Sequence, residues 1–197
     1  MLDAAIEAFA EHGFHDASMD DIAARADVSK PMVYAYLGSK EELFVACLHR
    51  EGTRLLEAIV DVVDPALTPE EQLWRGMRAF FEFVAANRAG WSVLSTQARG
   101  PFAEERASMR ARMVEVVDGM LTRAVVARGR TPRAEEITTL AYALVGAGES
   151  LADWLAETPS QSPSALATRC MTIVWMGVGN LVEGAAWQAP ADRAVVA

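Results

Sequence analysis

The sequence predicts an all-α protein, and three observations lead to that fold class. Apolar residues recur every three or four positions over most of the 197 residues, which is the spacing of one helix face. Serine, threonine, glycine and proline interrupt this pattern where helices begin and end. The composition, 52% hydrophobic and 23% charged, is that of a globular chain with a substantial core. About nine helices account for the pattern.

The most informative stretch is residues 18–44, which contain two short helices and the start of a long one. Ser18 can cap the first short helix, and Ser29 can cap the second, where a proline is tolerated in the first turn. Gly38 ends that second helix, and residues 39–42 then form a capping box for a longer helix. Two short helices joined by a tight turn are typical of a helix-turn-helix.

The other helices follow from the same signals. The first covers about residues 1–12, and Phe14 folds back into the core after it. The fourth runs from the capping box to about Val63 and connects the N-terminal part mechanically to the rest. Proline-containing pairs at residues 64–65 and 68–69 mark a break, with Thr68 as the next N-cap. Later helices are predicted at about residues 69–87, 90–98, 102–128, 133–157 and 163–187.

This pattern predicts two domains and a tail. Residues 1–45 form an N-terminal three-helix helix-turn-helix domain, and residues 46–190 form a C-terminal helical bundle. Residues 191–197 are predicted to be a frayed tail. No internal repeat is present in the sequence.

The N-terminal quarter resembles the DNA-binding domain of TetR-family transcriptional regulators. The similarity depends on many separate positions that agree in order and spacing. They are Ala4, Ala5, Phe9, Gly13, Phe14, Asp21-Ile22-Ala23, Val28-Ser29-Lys30, Val33-Tyr34 and Gly38-Ser39-Lys40-Glu41-Glu42-Leu43. Beyond residue 50 only the length and the helical character match. The resemblance also implies a basic segment upstream of the first helix, which this sequence does not contain.

The resemblance implies which side chains contact DNA. The side chains for the groove are Lys30, Pro31, Met32, Ala35 and Tyr36, and those for the DNA backbone are Ser18, Ser29, Tyr34 and Lys40. Two alternatives stay open: Tyr34 packs half-buried against the first helix, or Met32 is a passive exposed residue. Asp27 stands where a glycine is common in this turn, and its charge repels phosphate.

Considered alone, the net charge of the chain argues against DNA binding. The chain carries a formal charge of −9, and residues 1–50 hold nine acidic side chains against four Lys or Arg. However, the only two lysines are Lys30, at the start of the recognition helix, and Lys40, just after it. We therefore expect weak non-specific binding and a strong dependence on base contacts.

The resemblance also implies a pocket for a small-molecule inducer in the C-terminal bundle. Side chains that could enclose an apolar or aromatic molecule are Trp74, Phe81, Trp91, Leu94, Met113, Val117, Met120 and Tyr142. The alternative is that most of these only fill the core. Three further polar groups, Gln97, Glu149 and Asp153, could orient a ligand. The two carboxylates would favour a cation, unless they are solvated or paired with arginine.

The two C-terminal helices are predicted to form a homodimer interface. Both are apolar around more than half of their circumference and contain glycines, Gly146 and Gly148 in one and Gly177 and Gly179 in the other. Since glycines let helices approach closely, a four-helix arrangement across a two-fold axis is expected. The alternative is an internal core pair in a monomer.

Several other classes of protein are disfavoured. No apolar run reaches the roughly 18 residues of a membrane span, and no signal peptide is evident, so a cytoplasmic protein fits. Cys47 and Cys170 are expected to be reduced, packed thiols. The three histidines lack the spacing of a zinc site, and no catalytic motif appears, so we expect no metal, no cofactor and no enzyme.

The sequence thus indicates a TetR-like regulator, most simply a repressor that a small, largely apolar ligand releases from a palindromic operator. An activator, or a regulator that uses this fold for protein partners, is one alternative. A helical small-molecule-binding protein that no longer binds DNA is another. Salt-sensitive binding to duplex DNA distinguishes these classes.

Overall fold

The computed structural model describes residues 1–97 and 100–183, and these ranges are helical with no strand. This confirms the predicted all-α fold. The α-helices are α1 Leu2–Asp16, α2 Met19–Arg25, α3 Lys30–Leu37, α4 Lys40–Val60, α5 Pro69–Ala86, α6 Arg88–Ser92, α7 Ala103–Ala127, α8 Ala134–Glu157 and α9 Pro163–Glu183. A π-helical turn, Val93–Gln97, follows α6, and a 3₁₀ turn, Gly100–Phe102, precedes α7.

Two of the three caps predicted in the N-terminal part, Ser18 and Ser39, make side-chain hydrogen bonds, whereas Ser29 occupies the N-cap position of α3 without one. The Ser18 hydroxyl oxygen accepts hydrogen bonds from the backbone N–H groups of Asp20 and Asp21, at 3.1 and 3.3 Å. The capping box at the start of α4 is complete, because Ser39 Oγ accepts from the Glu42 N–H while Glu42 Oε2 accepts from the Ser39 N–H, at 3.1 and 2.7 Å. These bonds satisfy N–H groups that a helix start leaves without partners.

The first helix is interrupted at Gly13, where the sequence predicts its end, with φ of 78° and ψ of 165°. A short helical segment then continues to Asp16. A glycine adopts this left-handed φ without steric cost, so the chain can turn there and resume. The turn sends Phe14 into the core, where its ring lies 5.2 Å from that of Phe44 and 4.7 Å from that of Phe102.

Two other helix boundaries differ from the prediction. Helix α4 ends at Val60 rather than Val63, since Asp64 precedes a proline and such residues disfavour helical backbone. The Asp64 side chain instead accepts the N–H of Ala66 at 2.8 Å, which forms a turn. The predicted helix at residues 90–98 begins earlier, at Arg88, and its second half is the π-helical turn.

Helix α5 is the centre of the bundle, with α4, α7, α8 and α9 packed around it. Helix α8 packs mainly on α7, and α9 mainly on α5. One hydrophobic core runs from Phe9 in α1, through Phe44 in α4, to Leu155 in α8. The N-terminal three-helix unit is therefore joined to the bundle by buried side chains of α4. The predicted tail 191–197 and residues 184–187 of the last predicted helix lie outside the described residues.

Candidate functional site

Helix α3 exposes the face that was predicted to enter a DNA groove. Val33 is completely buried and anchors the helix, whereas its neighbours Lys30, Pro31, Met32, Tyr34, Ala35 and Tyr36 are all exposed. Tyr36 is 72% exposed, Tyr34 46% and Met32 44%, so none of the three is a core residue. Large side chains left this open on a short helix can reach base edges or thymine methyl groups.

The side chains predicted for the DNA backbone differ in how available they are. Ser29 caps α3 without a side-chain hydrogen bond, so its exposed hydroxyl can donate to a phosphate. Ser18 is also exposed, and its oxygen is already an acceptor for the start of α2. Lys40 is half-buried: its Nζ donates to the His15 carbonyl oxygen at 2.8 Å and lies 4.9 Å from the centre of the Phe14 ring. Lys40 therefore has a structural role in the N-terminal unit.

Two positive charges of the N-terminal unit, Lys30 and Arg25, are paired with carboxylates. Lys30 Nζ lies 2.8 Å from Asp20 Oδ2, and this hydrogen bond raises the pKa of Lys30. Arg25 bridges Glu11 and Asp21 at 2.7 and 2.8 Å. All three ion pairs lie at the surface, where such pairs contribute little to stability and can exchange. Lys30 can therefore leave Asp20 for a guanine or a phosphate.

The turn between α2 and α3 contains a backbone feature that explains one departure from the family pattern. Asp27 has φ of 53°, in the left-handed region that favours glycine. Asp and Asn tolerate this region better than other side chains do. The chain therefore keeps the turn geometry that a glycine would give, but it places an exposed carboxylate beside the recognition helix.

A cavity of about 140 Å³ lies between α4, α5, α7 and α8. Its wall is apolar apart from Ser95, Arg106, Arg110 and Glu149. The other lining residues are Gly52, Leu55, Leu56, Ile59, Leu73, Gly76, Met77, Phe80, Phe81, Trp91, Leu94, Met109, Met113, Val117, Met120, Leu144, Val145, Gly148 and Cys170. An apolar wall with a few polar groups is typical of a small-molecule site.

The structure places six of the eight predicted ligand residues on this wall and two elsewhere. Phe81, Trp91, Leu94, Met113, Val117 and Met120 line the cavity, and their contact with a ligand stays a prediction.

Trp74 and Tyr142 do not line the cavity. Helix α5 contributes Leu73, Gly76, Met77, Phe80 and Phe81 to the cavity wall. Trp74 is not among them, and the Arg78 guanidinium lies 4.9 Å from the centre of its ring. Tyr142 is 48% exposed and is not one of the α8 residues that line the cavity. The Arg110 guanidinium lies over its ring. An aromatic residue on a bundle helix therefore does not by itself indicate the cavity face.

The two carboxylates predicted near the pocket already have partners. Glu149 Oε2 accepts from Arg110 Nε at 3.0 Å, and Asp153 Oδ1 accepts from the indole N–H of Trp91 at 2.9 Å. The first is an ion pair within one chain, and the second positions a ring of the cavity wall. Arg110 neutralises Glu149, whereas the neutral indole leaves the charge on Asp153, which does not line the cavity. The side chain of Gln97 lies outside the described residues.

A charge cluster around the buried Glu51 joins the N-terminal unit to the cavity region through α4. Glu51 is 1% exposed, and its carboxylate accepts from Arg50 Nε at 3.1 Å and from Arg54 Nη1 at 2.9 Å. Arg50 also binds Asp3 of α1, which lowers the pKa of Asp3 through that hydrogen bond. Arg54 donates to Asn87 Oδ1, between α5 and α6, at 3.0 Å.

Gly90 in α6 makes room for this cluster. A Cβ on Gly90 would lie 2.5 Å from Glu51 Oε2, closer than atoms can pack. The residues next to the pair, Gly52 and Trp91, are both part of the cavity wall. The charge cluster and the cavity are thus on neighbouring positions of the same two helices.

Comparison with known proteins decides the family. Residues 1–47 match the family described as "Bacterial regulatory proteins, tetR family". Residues 69–177 match the family described as "Tetracyclin repressor-like, C-terminal domain". The chain belongs to the TetR family.

Individual TetR-family relatives are similar over different lengths. A TetR-like transcriptional regulator from Rhodococcus sp. RHA1 superimposes with a TM-score of 0.76 and 40% identity, over 90% of this chain and 93% of that one. The transcriptional activator FasR of Mycolicibacterium smegmatis is 35% identical over 94 residues, which is 48% of this chain and 43% of FasR.

A third relative shares the fold at low identity. FadR of Bacillus subtilis, solved in complex with stearoyl-CoA, has a TM-score of 0.73 at 18% identity, over 88% of this chain and 95% of that one. At this identity the likeness shows the fold alone.

Sequence reasoning missed three features of the TetR-type cavity in this chain. Arg106 and Arg110 lie on the same α7 face as Met109 and Met113, so the apolar stripe could have revealed them. Gly52 had no signal, because only the structure shows Met109 against it. Gly146 and Gly148 were predicted to allow close contact between subunits, but they face Arg110 and Phe80 of their own chain. Gly177 and Gly179 lie beyond the residues whose surroundings the structure describes.

The remaining predictions concern chemistry rather than binding. Cys47 and Cys170 are free, buried thiols, and burial raises the pKa of Cys47 to about 12. Within the described residues, no cluster of His, Cys, Asp and Glu could hold a metal ion. No helix of that part of the chain is both long and apolar enough to cross a membrane.

Proposed function

We propose that this TetR-family chain is a homodimeric repressor that leaves a palindromic operator when a largely apolar ligand fills the cavity. In this proposal residues 1–45 bind DNA, and residues 46–190 hold the ligand and dimerise. The observation that carries it is the position of α4. Its first two turns are buried against the N-terminal unit through Phe44 and Leu48, and its next turns supply Gly52, Leu55 and Ile59 to the cavity wall.

The DNA contacts follow from the exposed face of α3. Lys30, Pro31, Met32, Ala35 and Tyr36 would read base edges, while Ser18, Ser29, Tyr34 and Lys40 would touch the DNA backbone. In a dimer the two recognition helices would enter successive major grooves, about 34–36 Å apart. The acidic surroundings of Lys30 support binding that depends on base contacts rather than on general attraction to phosphate.

The ligand is inferred from the wall and the size of the cavity. A dry apolar cavity of about 150 Å³ holds a molecule of the size of benzene, so the observed 140 Å³ admits little more before side chains move. Four methionines, Met77, Met109, Met113 and Met120, line it and can change rotamer to enlarge it. The likeness to FadR, solved with stearoyl-CoA, supports an acyl chain as the apolar part.

Release from DNA would follow from movement of α4. Met109 lies against Gly52, so close that a Cβ on Gly52 would be 2.6 Å from its terminal methyl group. A ligand that displaces Met109 therefore presses on α4 itself. Operator affinity would fall by the ratio of the ligand's affinities for the two conformers.

The dimer interface is proposed on α8 and α9. Trp154 is 43% exposed and Ile173 is 74% exposed, so each of these helices has a large apolar side chain on its outer surface. On α8, Ala143, Ala147 and Trp154 form an exposed stripe on the side away from the cavity. A second copy of the chain would cover these faces with its own.

The first experiment is selection of binding sequences from a random duplex pool, followed by a salt titration of the best sequence. A palindromic consensus and an affinity that falls steeply with salt would support the proposal. Tyr36→Ala should abolish enrichment, while Val126→Ala, an exposed apolar residue of α7, should not. The absence of any enriched sequence would contradict DNA binding.

The direction of regulation needs a separate test, because FasR is named an activator. A reporter gene behind the selected operator should be silenced by this protein and restored by ligand. A rise in reporter activity on adding the protein alone would instead show activation.

A further inference from the structure

The polar part of the cavity wall carries an unequal balance of charge. Three of its side chains are ionisable, namely Arg106, Arg110 and Glu149. Glu149 is paired with Arg110 at 3.0 Å, and the Arg110 guanidinium also lies 5.6 Å from the centre of the Tyr142 ring. Among the described residues Arg106 makes no ion pair. The wall therefore has one cation in excess, and it belongs to Arg106.

The two arginines face the same place. They are four residues apart on α7, so their side chains leave the helix on one face, next to Met109 and Met113 of the apolar wall. Both arginines are only partly buried, as is Glu149. Arg106, Arg110 and Glu149 therefore keep partial contact with solvent. Glu104 and Glu105, in the same first turn of α7, do not line the cavity.

We propose that the cavity ligand is an amphipathic anion: its apolar tail lies among the methionine and aromatic side chains, and Arg106, with Arg110, binds its acidic head. This inference rests on the proposed function and names the chemical class of the ligand. Arginine suits the role, since its planar guanidinium can donate two parallel hydrogen bonds to a carboxylate or phosphate.

Glu149 competes with the acidic head of the ligand for Arg110. Its carboxylate neutralises Arg110, and Gly146 leaves space for that guanidinium, because a Cβ there would lie 3.3 Å from Arg110 Nη2. An incoming anion meets Arg106 first and then shares Arg110 with Glu149. A cationic head would meet the excess charge of Arg106 and be repelled.

The test compares ligands with the same ten-carbon tail and different heads. Decanoate, decanol, decylamine and decanoyl-CoA are titrated into the full-length protein at neutral pH. The readouts are calorimetry and intrinsic tryptophan fluorescence, to which Trp91 of the cavity wall contributes. Decanoate should bind roughly tenfold more tightly than decanol, and decylamine most weakly. The thioester distinguishes the source of the anion: tighter binding than decanoate indicates a phosphate-bearing head, and weaker binding indicates a free carboxylate.

Three variants assign the effect to the named side chains. Arg106→Gln should reduce the preference for decanoate over decanol to less than about threefold, and Arg106→Lys should restore part of it. Glu149→Gln should strengthen decanoate binding and leave decanol binding unchanged. Arg112→Gln, an exposed α7 residue outside the cavity, removes the same charge and should change nothing.

Equal affinity for decanoate and decanol, or an unchanged preference in Arg106→Gln, would overturn the proposal. So would tighter binding of decylamine than of decanoate. Operator binding is measured in the same samples without ligand. A protein that binds its operator but shows no head-group preference would refute the anion assignment while leaving the proposed regulator intact.

Discussion

Asp27 shows how one residue can meet a backbone requirement and still work against the function of its surroundings. Its φ of 53° satisfies the turn between α2 and α3, but its carboxylate is exposed beside the recognition helix. A glycine would keep the turn without the charge and without the steric penalty. The backbone role and the electrostatic role can therefore be separated by two substitutions.

We predict that Asp27→Gly and Asp27→Asn both raise operator affinity, by about threefold at low salt and less at high salt, because each removes repulsion of phosphate. Only the glycine should also raise the free energy of unfolding, by about 0.5 kcal/mol, since it relieves the left-handed conformation. Fluorescence anisotropy at two salt concentrations and thermal unfolding measure the two effects. If the asparagine variant binds like the wild type, the carboxylate does not face the DNA.

Asp20 competes with DNA for Lys30, because its Oδ2 lies 2.8 Å from Lys30 Nζ. We predict that Lys30→Gln lowers operator affinity by about tenfold, the cost of one base contact. Asp20→Asn should raise it, because the lysine is then free. The decisive result is the double variant: Asp20→Asn should have no effect once Lys30 is glutamine. Additive effects of the two substitutions would show that Asp20 acts on DNA directly.

At the scale of elements, α4 is the helix on which the mechanism depends. The buried Glu51 cluster ties it to α1 through Arg50 and to the α5–α6 junction through Arg54. The next residue, Gly52, holds the side chain of Met109 from α7. Glu51 and Gly52 are thus adjacent residues of α4: the first is linked to the N-terminal unit, and the second faces the proposed ligand cavity.

We predict that Gly52→Ala weakens ligand binding by about tenfold but keeps operator affinity. The new methyl group displaces Met109, a flexible side chain that can move into the adjacent cavity and reduce its free volume. The matched control is Gly76→Ala on the same wall, where the added Cβ would meet its nearest neighbours at 3.5 and 3.7 Å, which is ordinary contact. Calorimetry of decanoate binding separates the two. Equal losses in both variants would contradict a special role for Gly52.

The sequence predicted the elements whose causes are local. The Ser39 capping box and the Thr68 N-cap are both confirmed, because their side chains bond to N–H groups only three residues away. The cavity wall was predicted in part, since apolar stripes indicate an inner face without indicating where that face leaves a void. The functions of Gly52 and Gly146 depend on residues of distant helices, Met109 and Arg110, and no local pattern reveals such partners.

At the scale of the whole molecule, one chain leaves apolar side chains of α8 and α9 uncovered. Trp154 and Ile173 lie on these helices, outside the hydrophobic core. The proposed dimer covers them and sets the spacing of the two recognition helices. In this proposal, operator binding and dimerisation are coupled.

We predict that Ile173→Glu shifts the dimer towards monomers and weakens operator binding by at least about tenfold, because a charge at the interface must be desolvated. The residue is 74% exposed in one chain, so the fold itself should be unaffected. Sedimentation velocity and circular dichroism measure the two properties. Val126→Glu, at a 55% exposed site on α7, is the control and should remain dimeric. A stable dimer in Ile173→Glu would place the interface elsewhere.

The link between the cavity and the recognition helices is tested most directly by the dissociation constant of the operator complex during a titration with decanoate. The account predicts that this constant rises to a plateau. It also predicts that decanoate binds the operator complex more weakly than the free protein by the same factor, since coupling free energies are reciprocal. An unchanged operator affinity at decanoate concentrations where calorimetry shows the cavity to be occupied would contradict the account.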